Sequence, residues 1–183
     1  MRVIEIVNPT ITKELHVNAT IKDAFLEKDL ANDIIPVAMI NKRKTRHLGK
    51  GFIKGTGIKN GAVATTLTWD TGNILTIGSS EKDMATAVNR LIDIQGGIVI
   101  VKNGRIIFEF RMELFGIMPL MTMEKISGKI KDLEQKLHEI GARFEKPFLN
   151  IQTIPFTGLP LLRITDKGLA NIKQKKLVPL LVK

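Results

Sequence analysis

The sequence predicts an α+β fold, with a mainly antiparallel sheet or sheets built from β-hairpins and covered by two principal helices. Three observations carry that expectation. Short β-rich runs recur between residues 49 and 111 with turn residues between them. Asn-Gly pairs at 60–61 and 103–104 supply hairpin turns. Two segments, after Ser80 and after Thr122, place apolar residues at helical spacing.

Taken in order, Val3 to Val7 and Glu14 to Ile21 read as strands joined through Asn8-Pro9, since Pro9 has no N–H to give to a ladder. Ile34 to Ile40 is a further strand, which Pro36 is expected to keep near an edge. Gly51 to Ile58 alternates loosely and runs into Lys59-Asn60-Gly61, a type I′ turn signal. Ala62 to Trp69 and Asn73 to Ile77 then flank a tip at Asp70-Thr71-Gly72. Ser80-Glu81-Lys82-Asp83 has the form of a capping box. Met84, Val88, Leu91 and Ile92 follow on one helix face, and Gly96 is placed to end the helix. Ile98 to Val101 and Arg105 to Arg111 form a second hairpin about Asn103-Gly104. The helix after Thr122 carries Ile126, Ile130, Leu133, Leu137 and Ile140 and closes at Gly141, with an extended tail expected from Phe148.

The length of 183 residues fits a single domain, 1–183, with the N-terminal strands of residues 1–40 as a candidate appendage. A hydrophobic share of 44% with 25% charged residues is that of an ordinary globular chain. No apolar run approaches the roughly 20 residues that span a bilayer, and Met1-Arg2-Val3-Ile4-Glu5 lacks a signal-peptide core, so a cytoplasmic location without membrane is expected. The absence of cysteine excludes disulfides, a thiol nucleophile and thiolate metal sites.

The formal net charge of +10 would attract anions. The densest basic run, Lys42-Arg43-Lys44-Thr45-Arg46-His47, and a second at Lys173-Gln174-Lys175-Lys176 lack the interleaved aromatics on which bases stack. Nucleic acid is therefore not the expected partner. Gly49, Gly51, Gly55, Gly57 and Gly61 do not spell a phosphate loop, because the spacing is wrong and no helix follows; they read as relief for a twisted or bulged strand. His16, His47 and His138 are far apart, none at ligand spacing, so no metal site is expected here. In Leu67-Thr68-Trp69-Asp70-Thr71-Gly72-Asn73 the only tryptophan adjoins a carboxylate. Asp70 is open to two uses, a general base or ligand and a turn residue bonding its own backbone; Trp69 is either a substrate platform or a packed aromatic. The Met-rich run from Leu114 to Met123 suits either a core or an adaptable interface, with Phe115, Ile117, Met118 and Met121 as candidate anchors.

Several runs carry a family likeness: Gly51-Phe52-Ile53-Lys54-Gly55, Lys59-Asn60-Gly61-Ala62-Val63-Ala64, Asp83 to Leu91, Gly96-Gly97-Ile98-Val99, Lys146-Pro147-Phe148, Leu162 to Leu169 and Val178-Pro179-Leu180. They resemble the C-terminal domain of the bacterial and archaeal adenine deaminases. The resemblance implies part of an amidohydrolase-type enzyme that converts adenine and water to hypoxanthine and ammonia. In that family a metal-binding (β/α)₈ barrel precedes this domain, so Mn or Fe is expected only in that barrel and no cofactor in this chain. A barrel cannot fit in 183 residues, so the chain is either an excised domain or a stand-alone relative, expected to be inactive alone. The family's loop has histidines where this sequence has Trp69 and Gly72, while Asp70 and Asn73 match. The basic loop around Lys44 lacks an expected histidine, with His47 nearby. The implied partners are a second copy or a separate barrel subunit. The alternatives are a binding module for an anionic partner, nucleic acid or acidic protein, through Lys42, Arg43, Lys44 and Arg46, or a structural subunit.

Overall fold

In the computed structural model, which describes residues 1–43 and 47–182, most of the hairpins join one eight-stranded sheet. Its strands are β1 (Arg2–Ile6), β2 (Thr12–His16), β5 (Ile34–Ile40), β6 (Leu48–Lys54), β7 (Ala62–Thr65), β8 (Ile74–Gly78), β9 (Gly97–Lys102) and β10 (Arg105–Arg111). A two-stranded ribbon, β3 (Ile21–Lys22) and β4 (Phe25–Leu26), lies between β2 and β5 in the chain. The strand order is β10-β9-β7-β8-β5-β6-β1-β2, antiparallel throughout except where β1 runs parallel to β6. The helices are α1 (Glu81–Asp93), α2 (Met123–Glu139) and α3 (Pro147–Thr153); a second sheet follows from β11 (Leu162–Thr165), β12 (Gly168–Asn171) and β13 (Lys176–Val178). The fold is thus α+β with mainly antiparallel sheets. Among the described residues no helix is long and apolar enough to cross a membrane.

Local chemistry explains the first helix. The Ser80 side chain accepts from the Asp83 N–H and satisfies a free donor of the first turn, as the capping-box pattern predicts. The Asp83 carboxylate, however, is buried and accepts from the Asn103 and Gly104 amides at 3.2 and 2.8 Å. It thereby locks the β9–β10 turn, whose φ values of 52° and 75° are those of the expected type I′ hairpin. Ala87 and Leu91 bury against Ala64, Ile74, Val99 and Val101, and Met84 is also buried, whereas Ile92, expected on that face, is 55% exposed. Left-handed Gln95 ends the helix, with Gln95 N–H to Ile92 O and Gly96 N–H to Leu91 O. α2 stops in the same way at Gly141 after burying Leu133 and Leu137.

α1 lies on β7, β8 and β9, while α2, α3 and the second sheet cover the opposite face. β6 can approach the β11–β12 hairpin because Gly49 and Gly51 carry no side chain: a Cβ at Gly49 would overlap the Thr165 carbonyl oxygen and lie 2.8 Å from Gly168 N. Close sheet contact is what these glycines permit.

Three expectations fail for tertiary reasons. Lys59-Asn60-Gly61 is not a hairpin turn, because β6 and β7 are not neighbours and Asn60 does not take a positive φ. The Lys59 and Asn60 amides instead donate to Ile140 O at the end of α2, at 2.9 and 3.2 Å. Just before them, the Asp33 carboxylate gathers the Gly55 and Gly57 amides. β5 is an interior strand between β8 and β6; its ladder to β8 begins at Val37, one residue past Pro36. The expected extended tail from Phe148 opens with α3, which Pro147 starts and which tertiary burial of Asn150, Ile151, Gln152 and Thr153 holds. Arg163, 1% exposed, ties this region together: its guanidinium donates to Thr153 O, Thr10 O and Pro160 O at 2.9, 2.7 and 3.2 Å. Burial brings its pKa down to about 10, which leaves it charged at neutral pH.

Candidate functional site

The β7–β8 tip follows from its own polar side chains. Thr65 Oγ1 accepts from Leu67 N–H at 2.9 Å and Thr71 Oγ1 from Asn73 N–H at 3.2 Å, so part of the tip's hydrogen bonding is local. Gly72 takes φ 59°, a conformation open to a residue without Cβ.

Tertiary contacts then fix each candidate. Trp69 Nε1 donates to Gln152 Oε1 of α3 at 2.9 Å, and its ring meets Phe156 edge-on at 5.2 Å between centroids. Gln152 is itself oriented by donating to Phe148 O at 2.7 Å. Asp70 Oδ2 accepts from both the Thr157 hydroxyl at 3.0 Å and the Thr157 amide at 3.3 Å, so this carboxylate is used across the loop. Asn73 is buried, and its Oδ1 accepts from Lys42 N–H at 3.4 Å. Lys42 Nζ reaches on to Phe115 O at 3.4 Å. Thr66 Oγ1 donates to Gly116 O and accepts from Gly97 N–H.

Three groups distant in sequence therefore meet at one end of the sheet: the tip, the start of the basic run and the apolar run. Phe115 is 83% exposed on a backbone at φ 57°; Met118 and Ile117 are also exposed, whereas Met121 turns inward and packs on the core. Trp69 is half exposed at the rim. Arg43 lies at the surface beside Lys42, and Lys44 and Arg46 fall outside the described residues. A cleft of about 550 Å³ separates Asp70 and Thr157 from Asp166, Lys167 and Lys175 on the second sheet.

The imidazoles stay apart. His16 Nε2 is 2.7 Å from Glu14 Oε1, His47 Nδ1 is 3.7 Å from Asp166 Oδ2, and His138 Nδ1 is 3.0 Å from Ala142 O. Among the described residues no group of three His, Asp or Glu side chains could hold a metal ion. The tip offers one acid, Asp70, and one amide, Asn73, without an imidazole. Partial burial pushes the Glu14 carboxyl up, but hydrogen bonds from His16, Arg2 and Asn171 outweigh it and hold the group below its usual value.

The model of the adenine deaminase C-terminal domain matches residues 9–176. The chain belongs to that family. It is 34% identical over 172 residues to an adenine deaminase of Thermosipho melanesiensis, a match covering 94% of this chain and 30% of that protein. The adenine deaminase of Staphylothermus marinus is 38% identical over 175 residues, covering 94% and 29%, and that of Brucella abortus 34% over 169 residues, covering 92% and 29%. The chain thus spans about 30% of the length of the curated relatives it matches. In this family member the two positions where the resemblance implies histidines serve the loop itself: Trp69 anchors it to α3, and Gly72 supplies the turn. Gln152, Phe156 and Thr157, which hold the tip, lie more than 80 residues away in sequence and have no local motif that announces them.

Proposed function

We propose that this chain acts as the C-terminal partner domain of a metal-dependent adenine deaminase and does not deaminate adenine by itself. The observation that carries the reading is the state of the tip: Asp70 Oδ2 accepts from Thr157, Trp69 donates to Gln152, and no imidazole stands beside them. An imidazole is the usual proton carrier for an attacking water, and the tip has none. In this reading Mn or Fe belongs to a barrel polypeptide, which supplies the metal-activated water. This chain contributes a rigid end surface, with Phe115, Ile117 and Met118 as anchors and Trp69 at the rim. Exposed aromatic and Met side chains held on a fixed turn are the composition of an interface centre. A cytoplasmic location goes with the same reading, as the compartment expected of an enzyme acting on a free purine base.

The test incubates the chain with adenine after reconstitution with Mn²⁺ or Fe²⁺ and follows hypoxanthine. No turnover above a metal-only control is expected, and saturable, metal-dependent turnover by the chain alone overturns the proposal.

A further inference from the structure

The sheet is unevenly covered. On the face that carries α1, the helix packs over β7, β8 and β9, leaving β5 and β6 without a helix above them. The opposite face of the same two strands is closed by β11 and β12. Beside α1 this leaves a trough of about 760 Å³, with Pro36, Ala38 and Leu48 in its floor, Ala85 and Val88 on the α1 side and Phe25 on the other. A second hollow, which shares Ile40 with the trough, is lined by Ile74, Ile92 and Lys42, whose Nζ bonds Phe115 O. Between them the two hollows flank α1 along its length, about 20 Å for its 13 residues, the first beside Glu81 to Asn89 and the second beside Leu91 and Ile92.

A layer of helices normally closes such a face, because an apolar sheet surface left in water forgoes its burial free energy. What is vacant here has the length and position of one more helix alongside α1. Its charge is also one-sided. Lys50, Lys42 and Arg43 border it, and the single acid among the described lining residues, Glu81, is already paired with Lys28 at 3.1 Å. A second copy of this chain has no helix to lend, since α1 and α2 both bury their apolar faces in their own core and the same basic border would face itself.

Resting on the reading above, we propose that this trough seats an amphipathic helix of the catalytic polypeptide, apolar on the face toward β5 and β6 and acidic along its flanks. The length that the relatives carry beyond the matched 30% is the source of that helix, in the same chain or a separate one.

Photo-crosslinking in the source cells tests it. p-Benzoylphenylalanine replaces Leu48 in the floor or Ala85 in the wall, and, as exposed positions elsewhere, Ile106 on β10 or Leu177 on β13. Mass spectrometry then identifies the attached peptide, within one chain or between two. Positions 48 and 85 are expected to capture an acidic helical peptide of an adenine deaminase catalytic polypeptide, and positions 106 and 177 are not. Lys50→Glu lowers the yield by about two- to fivefold, the range of a surface ion pair. Capture of a second copy, or no adduct at 48 and 85, overturns the inference. If 106 or 177 alone captures the catalytic polypeptide, the seat is wrong while the partner-domain reading stands; if no position captures it, both fall.

Discussion

Replacing Gly49 by alanine tests whether the two sheets meet as described. The backbone there is not in the left-handed region, so conformational preference does not obscure a steric effect. A methyl group would overlap the Thr165 carbonyl oxygen and stand 2.8 Å from Gly168 N and 3.0 Å from Thr165 C. All three are backbone atoms of the β11–β12 turn, which cannot rotate away like a side chain. Restoring ordinary contact at about 3.4 Å means pushing that hairpin off β6, and with it Leu162, Ile164 and Leu169 of the core. Overpacking typically costs about 1–3 kcal/mol. A clash with backbone belongs at the upper end, so Gly49→Ala should cost about 3 kcal/mol or more, lowering Tm by roughly 6–12 °C for a chain of this size. Two further glycines calibrate the result. At Gly51 the nearest atom is Leu169 Cδ2 at 3.0 Å, the end of a flexible side chain, and Gly51→Ala should cost less than about 1 kcal/mol. Gly128 sits in α2 with nothing within 4 Å, and Gly128→Ala should stabilise by up to about 1 kcal/mol through helix propensity. Urea unfolding followed by far-UV circular dichroism reads all three. A Gly49→Ala protein as stable as Gly51→Ala would refute the packing of β6 against the second sheet.

The single tryptophan reports on the tip. Gln152→Ala removes the acceptor of Trp69 Nε1 and is expected to cost about 1 kcal/mol and to shift the emission to the red; an unchanged spectrum would mean that α3 does not hold the loop. For acid stability, Glu14 has a folded-state pKa below the ordinary 4.5. Its contribution is therefore present above that value and is lost as pH falls through the depressed one. Glu14→Gln should make the stability curve less steep on its acid side, and parallel curves for the two proteins from neutral pH downward would contradict the Arg2, His16 and Asn171 bonding.

What the sequence by itself determined lies where a residue dictates its own backbone or a period dictates a face. Ser80 caps α1, Asn103-Gly104 turns the β9–β10 hairpin, Leu133 and Leu137 turn α2 inward, and Gly141 ends it. The tip of residues 70–72 was legible as a turn for the same reason, since Thr71 bonds and Gly72 bends the chain locally. Its role was not, because Gln152 and Thr157 reach it from 83 and 87 residues away and hydrogen bonds of that span leave no pattern in a short window. Nor could composition separate Phe115, Ile117 and Met118, which face water, from Met121, which packs on the core, because all four are apolar and lie within one seven-residue run. Only the tertiary structure decided that Asn60-Gly61 passes under Ile140 instead of forming a hairpin, that Pro36 stands in an interior strand, and that residues 147–153 coil around buried neighbours. In each case a partner remote in sequence satisfied the backbone or buried the side chain, and that free energy outweighed the local preference.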